Sequence, residues 1–244
     1  MKPAHRRLSI GAGLIVVGIW WYSHTPEPTV LSFRIGQTFE EVVALSTFPV
    51  MDHSNRPVDD PGDNRFGATW VTEPAVIIHF NDPRHGFTLP PTKFAALSYQ
   101  DNRAVTLATS PMLDKLPFDE AVTLLEDLQN QFKVGGWIPF EEGGSNWFDF
   151  TPEGKKRLFA HLLAHDMQTV RLYVPKKYGM TFRLWCAAGC VRREPPYLFM
   201  IDVGIGTDTH SWKPGDPELW ETPSVDTTTP ESTEPYVKSL PAES

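Results

Sequence analysis

Apolar residues between Val30 and Trp212 recur with two periods, and the switch from one to the other separates helices from strands. Thr38-Phe39-Glu40-Glu41 is a capping-box pattern, and Phe39, Val42, Val43 and Leu45 form one apolar face before Pro49. From Phe118 to Val134 the apolar positions 118, 122, 125, 128 and 132 follow helical spacing, and Gly135-Gly136 ends the run. A third helix starts at Thr151 as N-cap, with Pro152 in its first turn, and runs through Leu158, Phe159, Leu162 and Leu163 to about His165.

The intervening segments read as strands. Ala68–Thr72, Ala75–Phe80, Thr169–Val174, Met180–Trp185 and Tyr197–Val203 are rich in β-branched and aromatic residues. Phe94–Tyr99 and Ala104–Ala108 flank Gln100-Asp-Asn-Arg103, a hairpin signal. Short turns allow hairpins but no crossover helices, so the class expected is α+β: an antiparallel meander with helices packed on one face. Helix then meander occurs twice, which allows two related halves at about 31–110 and 111–212.

The ends differ from this body. Lys2, Arg6 and Arg7 precede an uncharged stretch, Leu8–Tyr22, which closes on Trp20-Trp21-Tyr22. Its 15 or so apolar residues span roughly 23 Å as a helix against roughly 30 Å of hydrocarbon, which suits a signal peptide. The closing aromatics instead suit the interfacial belt of an uncleaved anchor, the reading favoured here over residues 1–25. The basic leader then stays cytoplasmic, and residues 26–212 lie in the periplasm of a bacterial inner membrane. Residues 213–244 are acidic and rich in Pro, Ser and Thr, the composition of a disordered tail. The formal net charge of -8 argues against nucleic acid as partner. Only two cysteines occur, Cys186 and Cys190, around a turn at Ala187-Ala188-Gly189. A disulfide across a hairpin is the expectation, with free thiols or a redox or metal site as alternatives.

Catalytic patterns are weak. His161 and His165 have the i, i+4 spacing of zinc ligands, but position 162 is Leu where a zincin carries Glu. His79, Asp82 and His85 fall at a strand end, where a polar loop looks the same as a metal cluster. Ser145 lies in no nucleophile elbow, and Val203-Gly204-Ile205-Gly206-Thr207 lacks the third Gly of a dinucleotide loop and reads as a turn leaving the sheet. We therefore expect a non-enzyme without cofactor or metal. The richest segment is Val134–Phe150, where Trp137, Phe140, Glu141, Glu142, Trp147 and Phe148 combine aromatic anchors with acidic groups on a Gly-rich loop. Such residues build protein-binding hot spots, and equally they fill a core between two helices. The polar stretch Asp52–Arg65 is a second candidate contact or a flexible insert.

The segment Phe33-Arg-Ile-Gly36-Gln-Thr38-Phe-Glu-Glu-Val42-Val43 through Pro49 resembles the opening of the small envelope-assembly lipoproteins of the SmpA/OmlA type and of the β-lactamase-inhibitor-protein fold. There a Gly-x-Thr-x-x-x-Val helix precedes a meander. The likeness covers under a tenth of the chain and implies a layered α+β fold. By general type, an anchored periplasmic α+β body with an aromatic-acidic loop looks like the immunity proteins that neutralise envelope-targeting toxins. The expectation is a membrane-tethered binding protein, an immunity protein or inhibitor, with a structural part of an envelope or secretion complex as the alternative.

Overall fold

A computed structural model describes residues 29–55, 66–141, 144–209 and 211. The expected anchor at 1–25, the tail at 213–244 and most of the Asp52–Arg65 stretch lie outside the described residues. Among those residues no helix is long and apolar enough to cross a membrane.

The fold is α+β. An eight-stranded, wholly antiparallel sheet is built from β2 (Ser54–Asn55), β3 (Phe66–Val71), β6 (Ala95–Gln100), β7 (Arg103–Thr109), β8 (Ile138–Pro139), β9 (Met167–Val174), β10 (Tyr178–Ala188) and β11 (Leu198–Thr207). Their order is β2-β3-β6-β7-β11-β10-β9-β8. Strands from the two expected halves meet where β7 pairs with β11, Thr106 opposite Gly206 through Thr109 opposite Val203, so both contribute to one continuous sheet. A three-stranded sheet is made by β1 (Thr29–Phe33), β4 (Val76–Phe80) and β5 (Phe87–Thr92). Here β1 and β4 run parallel, which corrects the expectation of hairpin pairing throughout. The crossover between them carries α1 (Phe39–Leu45), enough chain to reverse direction.

The helices form where their patterns predict. Thr38 caps α1 through a complete capping box. Helix α2 covers Phe118–Val134, and Thr151 caps α3, Pro152–His165, by accepting from the Gly154 N–H. Asp101 and Asn102 both adopt positive φ in the tight turn joining β6 to β7. The excursion after β10 differs from expectation. The chain does not return through Cys190-Val191, because Cys186 faces Phe199 across the ladder, and residues 189–197 form a loop before β11. Cys186 and Cys190 are joined by a disulfide that pins this loop, and Gly189 has φ 88°.

One face of the large sheet is dry. Along one register row lie Thr69, Leu97, Leu107, Ile205, Met180 and Leu172, every one buried. Onto this face pack α2, α3 and the aromatic side of the small sheet. Phe132 of α2 meets Phe182 of β10, and Phe80 of β4 meets Tyr178 of β10 edge to face.

A polar hub closes the same layer. The turn after β4 brings Asp82 inward, where Oδ1 accepts the backbone N–H groups of Arg84 (2.9 Å) and His85 (2.8 Å) and Oδ2 accepts the Tyr178 hydroxyl (2.8 Å). His85 Nδ1 donates to the Gly135 carbonyl at the end of α2 (2.7 Å), and Trp137 Nε1 donates to the His85 carbonyl (3.0 Å). Burial pushes the Asp82 carboxyl up, but the bonds from His85, Tyr178 and Arg84 with the nearby His85 charge outweigh it and hold it below the usual value. Burial first, and then the bond to and charge of Asp82, push the Tyr178 phenol well above its ordinary range, so it remains an O–H donor.

A carboxyl whose folded-state pKa is depressed contributes stability above its unfolded value, near pH 4, and loses it as pH falls through the folded value. Urea unfolding from about pH 7 to about pH 3 is therefore expected to show a steeper acid loss in the natural chain than in Asp82→Asn. At neutral pH, Tyr178→Phe leaves Asp82 Oδ2 short of a donor and should cost about 1–3 kcal/mol. An unchanged urea midpoint would show that the hub contributes nothing.

Candidate partner-binding surface

The structure divides the residues of the Val134–Phe150 loop. Trp137 is 1 % exposed, stacked against Tyr178 and hydrogen-bonded to His85, so it belongs to the core and is no contact residue. Phe148 is also buried; it packs on Phe182, while its backbone N–H and C=O are both satisfied by the Gln129 side chain. Both were expected as partner contacts, and both are corrected by the same cause. The loop must cross the space between α2 and α3, and its large aromatics are what fill it. Phe140 and Trp147 are half-buried and Glu141 is exposed; Glu142 lies outside the described residues.

Phe140 has a second role. Its N–H extends the short β8 pairing by donating to the Arg171 carbonyl, and its ring meets Tyr173 edge to face at 5.8 Å. Tyr173 belongs to the other face of the large sheet, which no helix among the described residues covers. One register row on that face reads Trp70, Ala96, Ala108, Gly204, Thr181 and Arg171 across β3-β6-β7-β11-β10-β9. The next reads Ala68, Ser98, Thr106, Gly206, Gly179 and Tyr173. The centre of the face is thus a floor of Ala, Gly, Ser and Thr. Aromatic flanks rise beside it, with Phe140 and Tyr173 on one side and Trp70 (50 % exposed) and Phe66 (60 %) on the other. Phe94, two positions before Ala96, is 49 % exposed as well. A Cβ added at Gly204 would meet only ordinary contacts, at 3.8 and 3.9 Å.

Sequence reasoning missed this surface. Its signal was the alternation itself, since Ala96-x-Ser98, Thr106-x-Ala108 and Gly204-x-Gly206 interleave with buried Leu97, Leu107 and Ile205. The Gly204–Gly206 segment, read as a turn leaving the sheet, is in fact the interior of β11.

Asp82 and His85 converge in the hub, whereas His79 points to solvent from β4. The His161 and His165 rings lie 4.6 Å apart on α3, and among the described residues no group of three metal-ligating side chains occurs. Ser145 Oγ accepts the Arg171 N–H at the sheet edge, a positioning bond for the loop. Among known protein families, curated proteins and solved structures, none matches this chain.

The loop's anchor beneath this surface is specific enough to test. At the start of α3, a Cβ on Gly154 would fall well inside contact distance of the Asp149 carboxyl and carbonyl. Gly154→Ala should displace Asp149 and cost about 1–3 kcal/mol, read as a lower urea midpoint at unchanged slope. Glu141→Ala, at an exposed position, should stay within about 0.5 kcal/mol of the natural chain. Equal stability of all three chains would show that the loop is not held at Gly154.

Proposed function

We propose that the chain is a binding protein of the bacterial envelope, tethered to the inner membrane by its N-terminal segment, that neutralises an envelope-targeting toxin by occlusion. The observation that carries this reading is the uncovered sheet face. Aromatic side chains provide large contact area at low conformational cost, and a floor of small residues leaves room for a projecting loop of the partner. The face is built on paired strands, so it is preorganised and little ordering is needed on association. The basic leader followed by Leu8–Tyr22 supports export. The Cys186–Cys190 disulfide fits an oxidising compartment. Of the expected loop contacts, Phe140, Glu141 and Trp147 remain accessible; Phe140 is continuous with the flank of the face, whereas Trp147 lies on the helix side.

Affinity capture of the chain from intact cells tests this reading. One secreted hydrolase or pore-former in equal stoichiometry is expected. Trp70→Ala should weaken that complex by at least about tenfold, because buried aromatic anchors contribute 2 kcal/mol or more at such interfaces. Gly204→Val should block it by filling the floor, and both variants should keep the natural unfolding midpoint. Recovery of several envelope-machinery components in place of one toxin would make the chain an assembly part.

A further inference from the structure

On the helix side of the sheet, at the edge formed by β9, lies a groove of about 330 Å³, within the roughly 300–1,000 Å³ usual for small-ligand sites. It is lined by Asn146, Trp147, Asp149, Arg157, His161 and Gln168 over an apolar base that includes Leu158 and Val170. Arg157 donates to the Asp149 carboxylate, so the two charges cancel and the groove selects neither anion nor cation. The remaining polar atoms are mixed. Asn146 Oδ1 accepts the Trp147 N–H (2.8 Å), which leaves its amide N–H₂ as a donor. His161 Nε2 lies 3.3 Å from the Met167 carbonyl; a carbonyl only accepts, so Nε2 donates. Gln168 offers one of each. Lys133 lies over the Trp147 ring at 5.2 Å from its centroid, and the half-buried indole forms part of the groove wall.

A ligand matched to this set is uncharged, carries several groups that both donate and accept, and has an apolar C–H face to lay on an indole. Those are the properties of a pyranose. An extended peptide fits less well, because the β9 edge is nearly closed. Phe140 and Ser145 take the Arg171 backbone groups, and His161 takes the Met167 carbonyl. Of the edge-facing residues only Thr169 remains, too short a ladder for strand addition.

We propose that this groove is a glycan-binding site that takes one or two neutral pyranose units against Trp147. It is separate from the uncovered sheet face and does not depend on the protein-partner reading.

Calorimetric titration of the full chain with cellobiose, maltose and N,N′-diacetylchitobiose tests it. Saturable binding of at least one of the three is expected. Trp147→Ala should weaken it about tenfold, while Trp147→Phe retains most of the affinity, because a smaller ring keeps the stacking surface. Gln168→Ala, a change in a half-buried side chain at the sheet edge, gives a second reading if Trp147→Ala fails to fold, and should also weaken binding severalfold. Trp70→Ala should leave sugar binding unchanged, which separates this site from the sheet face. No binding of any of the three sugars, or binding indifferent to both Trp147→Ala and Gln168→Ala, would overturn the proposal, as would saturation of the groove by extended peptides alone.

Discussion

A buried carboxylate ties the two sheets together. Asp82 sits on the turn of the small sheet, yet one of its oxygens is held by Tyr178 at the start of β10 in the large one. A charge taken out of water this far is tolerated only when its lone pairs are satisfied, and here three donors supply them. The same turn sends the His85 ring to the end of α2 and receives the Trp137 indole, so a helix end, a loop and both sheets converge on it. Gly86 makes this convergence possible, since a Cβ there would run into the Asp82 and Phe80 carbonyls. Losing any donor leaves a desolvated acceptor rather than an absent contact, so the hub acts as one unit.

What the hub secures is an asymmetry between the faces of the large sheet. The inner face needs bulk, because α2, α3 and the small sheet must pack onto it at interior density. Among the described residues the outer face carries no second layer, and its central residues are small. Alternation along β6, β7 and β11 satisfies both requirements in the same strands, since neighbouring side chains point to opposite sides. An antiparallel sheet tolerates such a one-sided arrangement, whereas a parallel one is covered on both faces. Aromatic residues left at half exposure on that uncovered face are the feature the functional reading rests on.

Much of this was legible in the chain. All three α-helices of the described residues could be placed from caps and apolar spacing, α2 to the residue, because Thr38, Thr151 and Gly135 are local signals with local causes. Strand β5 was not, since Pro90 and Pro91 have no N–H to give a ladder, and they sit where the β4–β5 register shifts. Trp137 and Phe148 were ambiguous for a different reason. An aromatic in a Gly-rich loop looks alike whether it meets solvent or core, and only the positions of α2 and β10 decide. Tyr178 and Asp82 are 96 residues apart, and nothing local announces such a pair. The uncovered face lay in a row across six strands, and reading it required the strand order.

On the function proposed above, the uncovered face, and not the helix side, is where a protein partner docks. Photo-crosslinking in living cells addresses it directly, with a photoreactive amino acid placed in turn at Ala96, Thr106 and Thr181 on the floor and at Gln131 and Lys156 on the two helices. One discrete adduct of the same partner is expected from the floor positions and none from the helices. Adducts from Gln131 or Lys156, with the floor silent, would contradict it.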